Sequence, residues 1–149
     1  MVRALVTGAT GKVGHAVAQA LLARGDDVVV LARDAAKARR LLDAGVVEGD
    51  VTDPESIAAA VKGCEVVFNS MGLPEQWVAD PEVFERVNAR GTETVVRAAA
   101  AAGVRRVVHT STCDVFDARP GERFDGLDQA GQDAEPAARK SVQGGPADG

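Results

Sequence analysis

The chain has 149 residues, enough for one domain with one core, and 46% of them are hydrophobic. Aromatic residues make up only 3% and tyrosine is absent, so the core is expected to consist of valine, leucine and alanine. A net charge of -5 argues against a general binder of nucleic acid or membrane surfaces. No apolar run approaches the roughly 18 residues of a membrane span, and the sequence therefore indicates a cytoplasmic protein.

Strand and helix signals alternate along most of the chain. Short apolar runs predict strands at about 3–7, 28–32, 46–47, 65–69 and 105–110. Helical spacing of apolar residues predicts helices at about 12–23, 34–44, 53–62 and 81–102. The last three of these helices are expected to start at Asp34, Asp53 and Asp80. Gly45 is expected to end the second of these helices. The alternation predicts an α/β fold, a doubly wound parallel sheet of about five strands in the order 3-2-1-4-5.

The composition changes after Phe116. In the segment 117–149 only Phe124, Leu127 and Val142 are large and apolar. A segment of this kind buries too little surface to offset its ordering entropy. We therefore predict a folded domain at 1–125 and a loosely ordered or disordered tail at 126–149. The two cysteines, Cys64 and Cys113, form neither a disulfide framework nor a metal-ligand spacing, and no metal site is predicted.

A glycine-rich loop stands between the first strand and the first helix and carries the strongest functional signal. Its sequence is Gly8-Ala9-Thr10-Gly11-Lys12-Val13-Gly14. In such a loop, the first glycine allows a tight turn, the second lets a pyrophosphate approach the backbone and the third lets the helix pack close to the sheet. Free amides at the helix start then meet the phosphates. The loop predicts a Rossmann-like NAD(P)-binding domain, with Gly8, Thr10, Gly11, Lys12, Val13 and Gly14 as cofactor-binding residues.

The end of the second strand bears on the choice between NAD(H) and NADP(H). NAD sites usually place an acidic residue there to bind the ribose 2′-hydroxyl. This chain has Ala32 followed by Arg33, and a guanidinium binds a 2′-phosphate with two hydrogen bonds. Asp34 is interpreted as the helix cap. NADP(H) is therefore favoured, while NAD(H) stays open.

The spacing Gly-x-x-Gly-x-x-Gly resembles the short-chain dehydrogenase/reductase superfamily, and most closely its extended and atypical branch, the NAD-dependent epimerase/dehydratase family. Three further segments match that family in order: Gly49-Asp50-Val51-Thr52-Asp53, Asn88-Ala89-Arg90-Gly91-Thr92 and Val107-Val108-His109-Thr110-Ser111-Thr112. The resemblance covers roughly residues 2 to 125. It implies hydride transfer between the dinucleotide and a small carbonyl or sugar-nucleotide substrate.

The resemblance also implies roles for individual residues. Asp50, with Val51 beside it, would reach the adenine, although Asp50 also fits an exposed turn. Asn88 would flank the cofactor from its helix, although it also fits a solvated helix position. The crevice at the carboxyl ends of the strands would include Ser70 and Thr110. Thr112, with Ser111 beside it, falls at the family's substrate-orienting Ser/Thr position.

The catalytic part of the resemblance is incomplete. The family's proton donor is a Tyr with a Lys four residues later; here Pro136 precedes Lys140 at about that place, and the chain contains no Tyr. The sequence after residue 125 lacks the family's next strand, helix and substrate domain. A truncation, a reading-frame error or a genuine short binding protein would each produce this pattern. We expect impaired catalysis. The alternatives are a non-enzymatic NADP(H) sensor and a fragment that forms a homodimer through helix 81–102.

Overall fold

The computed structural model describes residues 1–73, 80 and 82–112, and its centre is a sheet of five parallel strands. The order across the sheet is β3-β2-β1-β4-β5. This order confirms the predicted doubly wound, Rossmann-like α/β fold. The strands are β1 Arg3–Thr7, β2 Asp27–Ala32, β3 Gly45–Glu48, β4 Val66–Asn69 and β5 Arg106–His109.

Helices connect the strands, because a chain that joins two parallel strands needs a long crossover connection. None of the helices in the described ranges is long and apolar enough to cross a membrane. The described residues belong to one compact unit, Met1–Thr112. The predicted boundary at residue 125, the tail 126–149 and Cys113 lie outside the described residues. The helices are α1 Lys12–Ala23, α2 Ala35–Leu41, α3 Pro54–Val61, α4 Glu82–Phe84 and α5 Gly91–Ala101, and a π-helical turn, Glu85–Arg90, joins α4 to α5.

Two groups of buried side chains cover the faces of the sheet, because successive residues of a strand point to opposite faces. Leu5, Val29 and Val67 contribute to one group, together with Ile57 of α3 and Val95 of α5. Alternate strand residues pack with α1 and α2 on the other face, namely Ala4, Val6, Val28 and Val30 with Ala18, Leu21 and Ala38. The buried hydrophobic residues are therefore mainly valine, leucine and alanine, with Ile57 and Cys64 in one of the two groups, close to the expectation from composition.

The aspartates that precede two helices cap them as predicted. Asp34 accepts a hydrogen bond from the amide of Lys37 at 2.8 Å. Asp53 accepts from the amides of Glu55 and Ser56 at 3.1 and 3.2 Å. Each carboxylate satisfies amides that have no partner within the helix. These caps position the turns that follow β2 and β3.

The prediction for the end of the second helix was wrong. Helix α2 ends at Leu41 rather than about residue 44, because Leu42 adopts extended backbone angles and buries its side chain in the core. Gly45 does not end the helix; it begins β3, where it pairs with Val29. Burial of Leu42 thus overrides the helical spacing that continues to Ala44.

The long helix expected at 81–102 is not a regular α-helix. Between α4 and α5 the chain forms a π-helical turn, in which the amide of Gly91 donates to the carbonyl of Arg86, five residues earlier. Such wider turns occur within α-helices and change the direction of the side chains before them. The turn places Val87 and Asn88 next to the loop that follows β4.

Ile57 is one of the largest fully buried side chains and is 0% exposed. We expect Ile57→Ala to lower the free energy of unfolding by about 2–5 kcal/mol, because it leaves a cavity against the sheet, and the matched control Ile57→Val by about 0.5–1.5 kcal/mol. Urea unfolding followed by circular dichroism measures both. Equal, small losses for the two variants would contradict this packing.

Asp26 is a buried carboxylate, with its side chain 4% exposed. It accepts a hydrogen bond from the amide of Val2 at 3.0 Å and pairs with Arg24 at 2.6 Å. The hydrogen bond from Val2, aided by Arg24, lowers the pKa of Asp26 below its ordinary value. A lowered pKa stabilises the folded chain above the unfolded value, about 3.9, and this contribution is lost as the pH falls through the folded pKa.

We therefore expect Asp26→Asn to be less stable than the wild type at neutral pH, with a difference that shrinks as the pH falls below about 4. Urea unfolding at several pH values provides the measurement. Asp43→Asn, which removes an exposed carboxylate, controls for the change in net charge. A difference between Asp26→Asn and the wild type that stayed constant down to acid pH would be inconsistent with the buried pair.

Candidate functional site

A cleft of about 270 Å³ lies at the carboxyl ends of β1, β2, β3 and β4. This is where ligands bind in open α/β sheets, because the loops diverge at the point where the strand order reverses. Seven residues predicted from sequence to bind a cofactor line the cleft: Gly8, Thr10, Gly11, Arg33, Asp50, Val51 and Ser70. Seven other predicted residues do not line it: Lys12, Val13, Gly14, Asn88, Thr110, Ser111 and Thr112.

The glycine loop owes its shape to close backbone contacts. Gly8 has a φ of 70°, and a Cβ atom there would lie 2.5 Å from the carbonyl oxygen of Ser70. A Cβ atom at Gly14 would overlap the carbonyl oxygen of Gly8 and lie 2.6 Å from its carbonyl carbon. Gly14 therefore brings α1 against the loop itself, whereas the sequence predicted contact with the sheet. The amide of Gly11 closes the turn by donating to the carbonyl of Gly8 at 2.9 Å.

The start of α1 differs from the starts of α2 and α3. No side chain caps α1, since its N-cap residue is Gly11 and no side-chain hydrogen bond is made there. The amides of Lys12, Val13 and Gly14 at this end of the helix thus have no side-chain acceptor. With the positive end of the helix dipole, they suit a bound phosphate. Val13 is also 52% exposed, which leaves its apolar side chain open at the start of the helix.

Two neighbouring loops, after β2 and β3, line the cleft beyond the glycine turn. In the first loop, Ala32 ends β2 and Arg33 follows it with an exposed side chain. In the second loop, Asp50 lines the cleft and also accepts hydrogen bonds from the amide and hydroxyl of Thr52 at 2.8 and 2.7 Å. The two interpretations of Asp50, a turn residue and a cleft residue, are therefore compatible. No acidic residue occupies the end of β2.

Asn88 supports the cleft from outside it. Its side-chain oxygen Oδ1 accepts a hydrogen bond at 2.9 Å from the backbone amide of Leu73. Leu73 belongs to the segment Ser70–Leu73, which forms a wall of the cleft. Gly91 allows this approach, since a Cβ atom there would lie 3.1 Å from both Met71 and Val51 side chains. The Asn-x-x-Gly motif therefore fixes the position of the wall, and sequence reasoning missed Met71, Gly72, Leu73 and Val87 as lining residues.

Asn69 is a second residue that sequence reasoning missed. It is the last residue of β4 and is 0% exposed, and it hydrogen-bonds Thr7, Thr92 and His109. The signal was an amide at the end of an apolar strand, in register with Thr7 on one side and His109 on the other. The imidazole of His109 is hydrogen-bonded to Asn69, although His109 itself is exposed.

The predicted substrate-orienting hydroxyls follow β5. Ser70 and Thr110 approach each other, with 3.3 Å between their hydroxyl oxygens. Ser111 and Thr112 come next and are exposed. Within the described ranges, no group of three or more His, Cys, Asp or Glu side chains is arranged to hold a metal ion.

Comparisons with known proteins agree with this geometry. A family model described as NAD(P)H-binding matches residues 8–143. A 4-hydroxy-2-methyl-3-oxo-4-farnesyl-3,4-dihydroquinoline-1-oxide ketoreductase of Stigmatella aurantiaca is 39% identical over 121 residues, which are 79% of this chain and 36% of the relative. A 2-alkyl-3-oxoalkanoate reductase of Shewanella oneidensis is 33% identical over 128 residues, 86% of this chain and 31% of the relative.

A solved structure shows the same fold. A short-chain dehydrogenase/reductase superfamily protein of Agrobacterium tumefaciens with bound NAD superimposes with a TM-score of 0.68 at 32% identity, over 76% of this chain and 33% of that one. The chain thus spans about a third of the length of the relatives it matches. On the glycine loop, the sheet order and these matches, the chain belongs to the NAD(P)H-binding family within the short-chain dehydrogenase/reductase superfamily.

Proposed function

We propose that this chain binds NADP(H) in preference to NAD(H), and that Arg33 is the residue that distinguishes them. The observation that carries the proposal is the position of Arg33 in the wall of the cleft, directly after Ala32 at the end of β2. A carboxylate here would accept from the ribose 2′-hydroxyl of NAD and repel a 2′-phosphate. A guanidinium instead binds a phosphate through two parallel hydrogen bonds.

The acidic residue that follows Arg33 in the sequence is already engaged. Asp34 caps α2 by accepting from the amide of Lys37, which holds its carboxylate at the helix start. The pyrophosphate would lie against the glycine loop and the uncapped amides of α1. The adenine would lie between Arg33 and Asp50, beside Val51. The cleft is near the lower end of the range for small-molecule pockets, about 300–1,000 Å³, so the nicotinamide half would extend along the carboxyl edge towards Ser70 and Thr110.

For proteins of the full length of the relatives, we propose that the reaction is the reduction of a ketone. The two similar proteins described above are a ketoreductase and an oxoalkanoate reductase. NADPH, when bound, would supply the hydride. Ser111 and Thr112 would orient the substrate oxygen at the end of β5. This chain contains no Tyr to pass the proton, so we propose that by itself it binds the cofactor and does not turn it over.

A non-enzymatic cofactor sensor is the second candidate, and the absence of Tyr is the observation that favours it.

For both candidate functions we expect the chain to lie in the cytoplasm, where it would bind the dinucleotide. A homodimer through helix 81–102 stays a prediction. In the described part of that helix, Val96 is 44% exposed, whereas Val95 and Ala99 are buried in the core.

The cofactor preference predicts the effect of replacing Arg33. Arg33→Ala should weaken NADPH binding by about 10- to 100-fold, the worth of a charge-assisted hydrogen bond, and change NADH binding by less than about twofold. Titration with each nucleotide, followed by nicotinamide fluorescence, provides the measurement. Arg39→Ala, on the exposed side of α2 and away from the cleft, is the matched control. An equal loss for NADPH and NADH would rule out contact with the 2′-phosphate.

The proposed lack of turnover predicts a second result. The chain, saturated with NADPH and mixed with a 2-alkyl-3-oxo acid, should bind the nucleotide and leave its absorbance unchanged over hours. Gly11→Asp, which puts a carboxylate near the expected phosphate position, should bind NADPH at least about tenfold more weakly and serves as the control for contaminating reductases. Oxidation of NADPH by the wild type well above the Gly11→Asp rate would show that a Tyr is not needed.

A further inference from the structure

A row of polar side chains crosses three neighbouring strands at their carboxyl ends. Thr7 of β1 is in register with Asn69 of β4, and Asn69 with His109 of β5. All three lie on the face of the sheet that α5 covers, and Thr92 of α5 also contacts Asn69. Thr7 and Asn69 are both 0% exposed. The row is therefore a polar strip that is buried at Thr7 and Asn69 and reaches the surface at His109.

The distances within the row decide the orientation of the Asn69 amide. The Asn69 Oδ1 to Thr7 Oγ1 distance is 2.6 Å, which is typical of an O–H donor to an oxygen and short for an N–H donor. The amide nitrogen lies 3.1 Å from His109 Nδ1 and 3.3 Å from Thr92 Oγ1, as expected for N–H donors. The hydroxyl of Thr7 therefore donates to Oδ1, and Asn69 Nδ2 donates its two protons to Thr92 and His109.

We propose that Asn69 is a positioning residue that holds the neutral imidazole of His109 in one tautomer, with its proton on Nε2. A nitrogen that accepts the amide proton of Asn69 carries no proton itself, so the proton of a neutral ring resides on the other nitrogen. The exposed imidazole at the end of β5 therefore donates hydrogen bonds from Nε2. Thr7 acts through Asn69, because its hydroxyl keeps the amide from turning over.

The place of this donor connects it to the site. His109 precedes Thr110, whose amide donates to the carbonyl of Asn69 at 3.0 Å. The segment that follows holds Ser111 and Thr112, the proposed substrate-orienting hydroxyls. An N–H donor beside them adds to the groups that bind an oxygen acceptor such as a carbonyl; this consequence, unlike the tautomer itself, rests on the proposed function.

The tautomer is measurable by long-range proton–nitrogen correlation NMR on the uniformly ¹⁵N-labelled chain without nucleotide, at about pH 8.5, where ordinary histidines are neutral. The chain has two histidines; His109→Gln identifies the resonances of His109 and leaves His15 as an internal reference. We expect the wild-type His109 to be predominantly protonated on Nε2. In Asn69→Asp the new carboxylate only accepts, so His109 should change to the Nδ1-protonated form while His15 stays unchanged.

A second pair of variants covers the case in which Asn69→Asp does not fold. Thr7→Val removes the hydroxyl at nearly constant shape and should leave His109 as a mixture of tautomers, whereas Thr7→Ser should preserve the wild-type form. A wild-type His109 protonated on Nδ1 would overturn the proposal. It would also be overturned if the tautomer of His109 were unchanged in both Asn69→Asp and Thr7→Val. Because nucleotide is absent from these spectra, failure to bind NADPH would refute the proposed function without affecting this result.

Discussion

The contact between Gly8 and the carbonyl of Ser70 is the constraint on which the cleft depends. It joins the turn after β1 to the loop after β4 so closely that no Cβ atom fits between them. Because β1 and β4 are neighbours in the sheet, the contact fixes the distance between the phosphate-binding turn and the wall that begins at Ser70. The carbonyl of Gly8 is in turn held by Gly11 and packed against Gly14, so all three glycines maintain one arrangement.

Much of this architecture follows from local sequence. The apolar runs and the glycine after β1 predicted the bounds of β1 and α1 correctly, and the Asp-Pro pair at Asp53 predicted the start of α3, because caps and strand ends are set by neighbouring residues. The end of α2 was missed because burial of Leu42, a tertiary effect, interrupts a regular helical pattern. The π-helical turn left no signal in the apolar spacing of the long helix.

The residues of the candidate site that belong to recognisable sequence motifs could be predicted. The glycine loop, Arg33 and Asp50 were found because their residue types have physical reasons to be near a dinucleotide. Met71 and Leu73 were not, since both line the cleft with ordinary apolar side chains. The position of Leu73 also depends on a hydrogen bond from its amide to the side chain of Asn88, which is distant in sequence. Asn69 was hidden for a different reason: its importance arises from strand register, which connects positions 62 and 40 residues away.

The π-helical turn has a consequence for how this helix tolerates change. A π turn amounts to one residue more than the α-helical repeat, and one residue corresponds to about 100° of rotation about the axis of an α-helix. The side chains before Gly91 are thus out of phase with those after it. Val87 and Asn88 are turned towards the cleft wall, while Val95 and Ala99 keep their direction into the core. The lining of the cleft and the packing of α5 are in this way set by separate stretches of a single helix, and removal of one residue from the turn would rotate one set against the other.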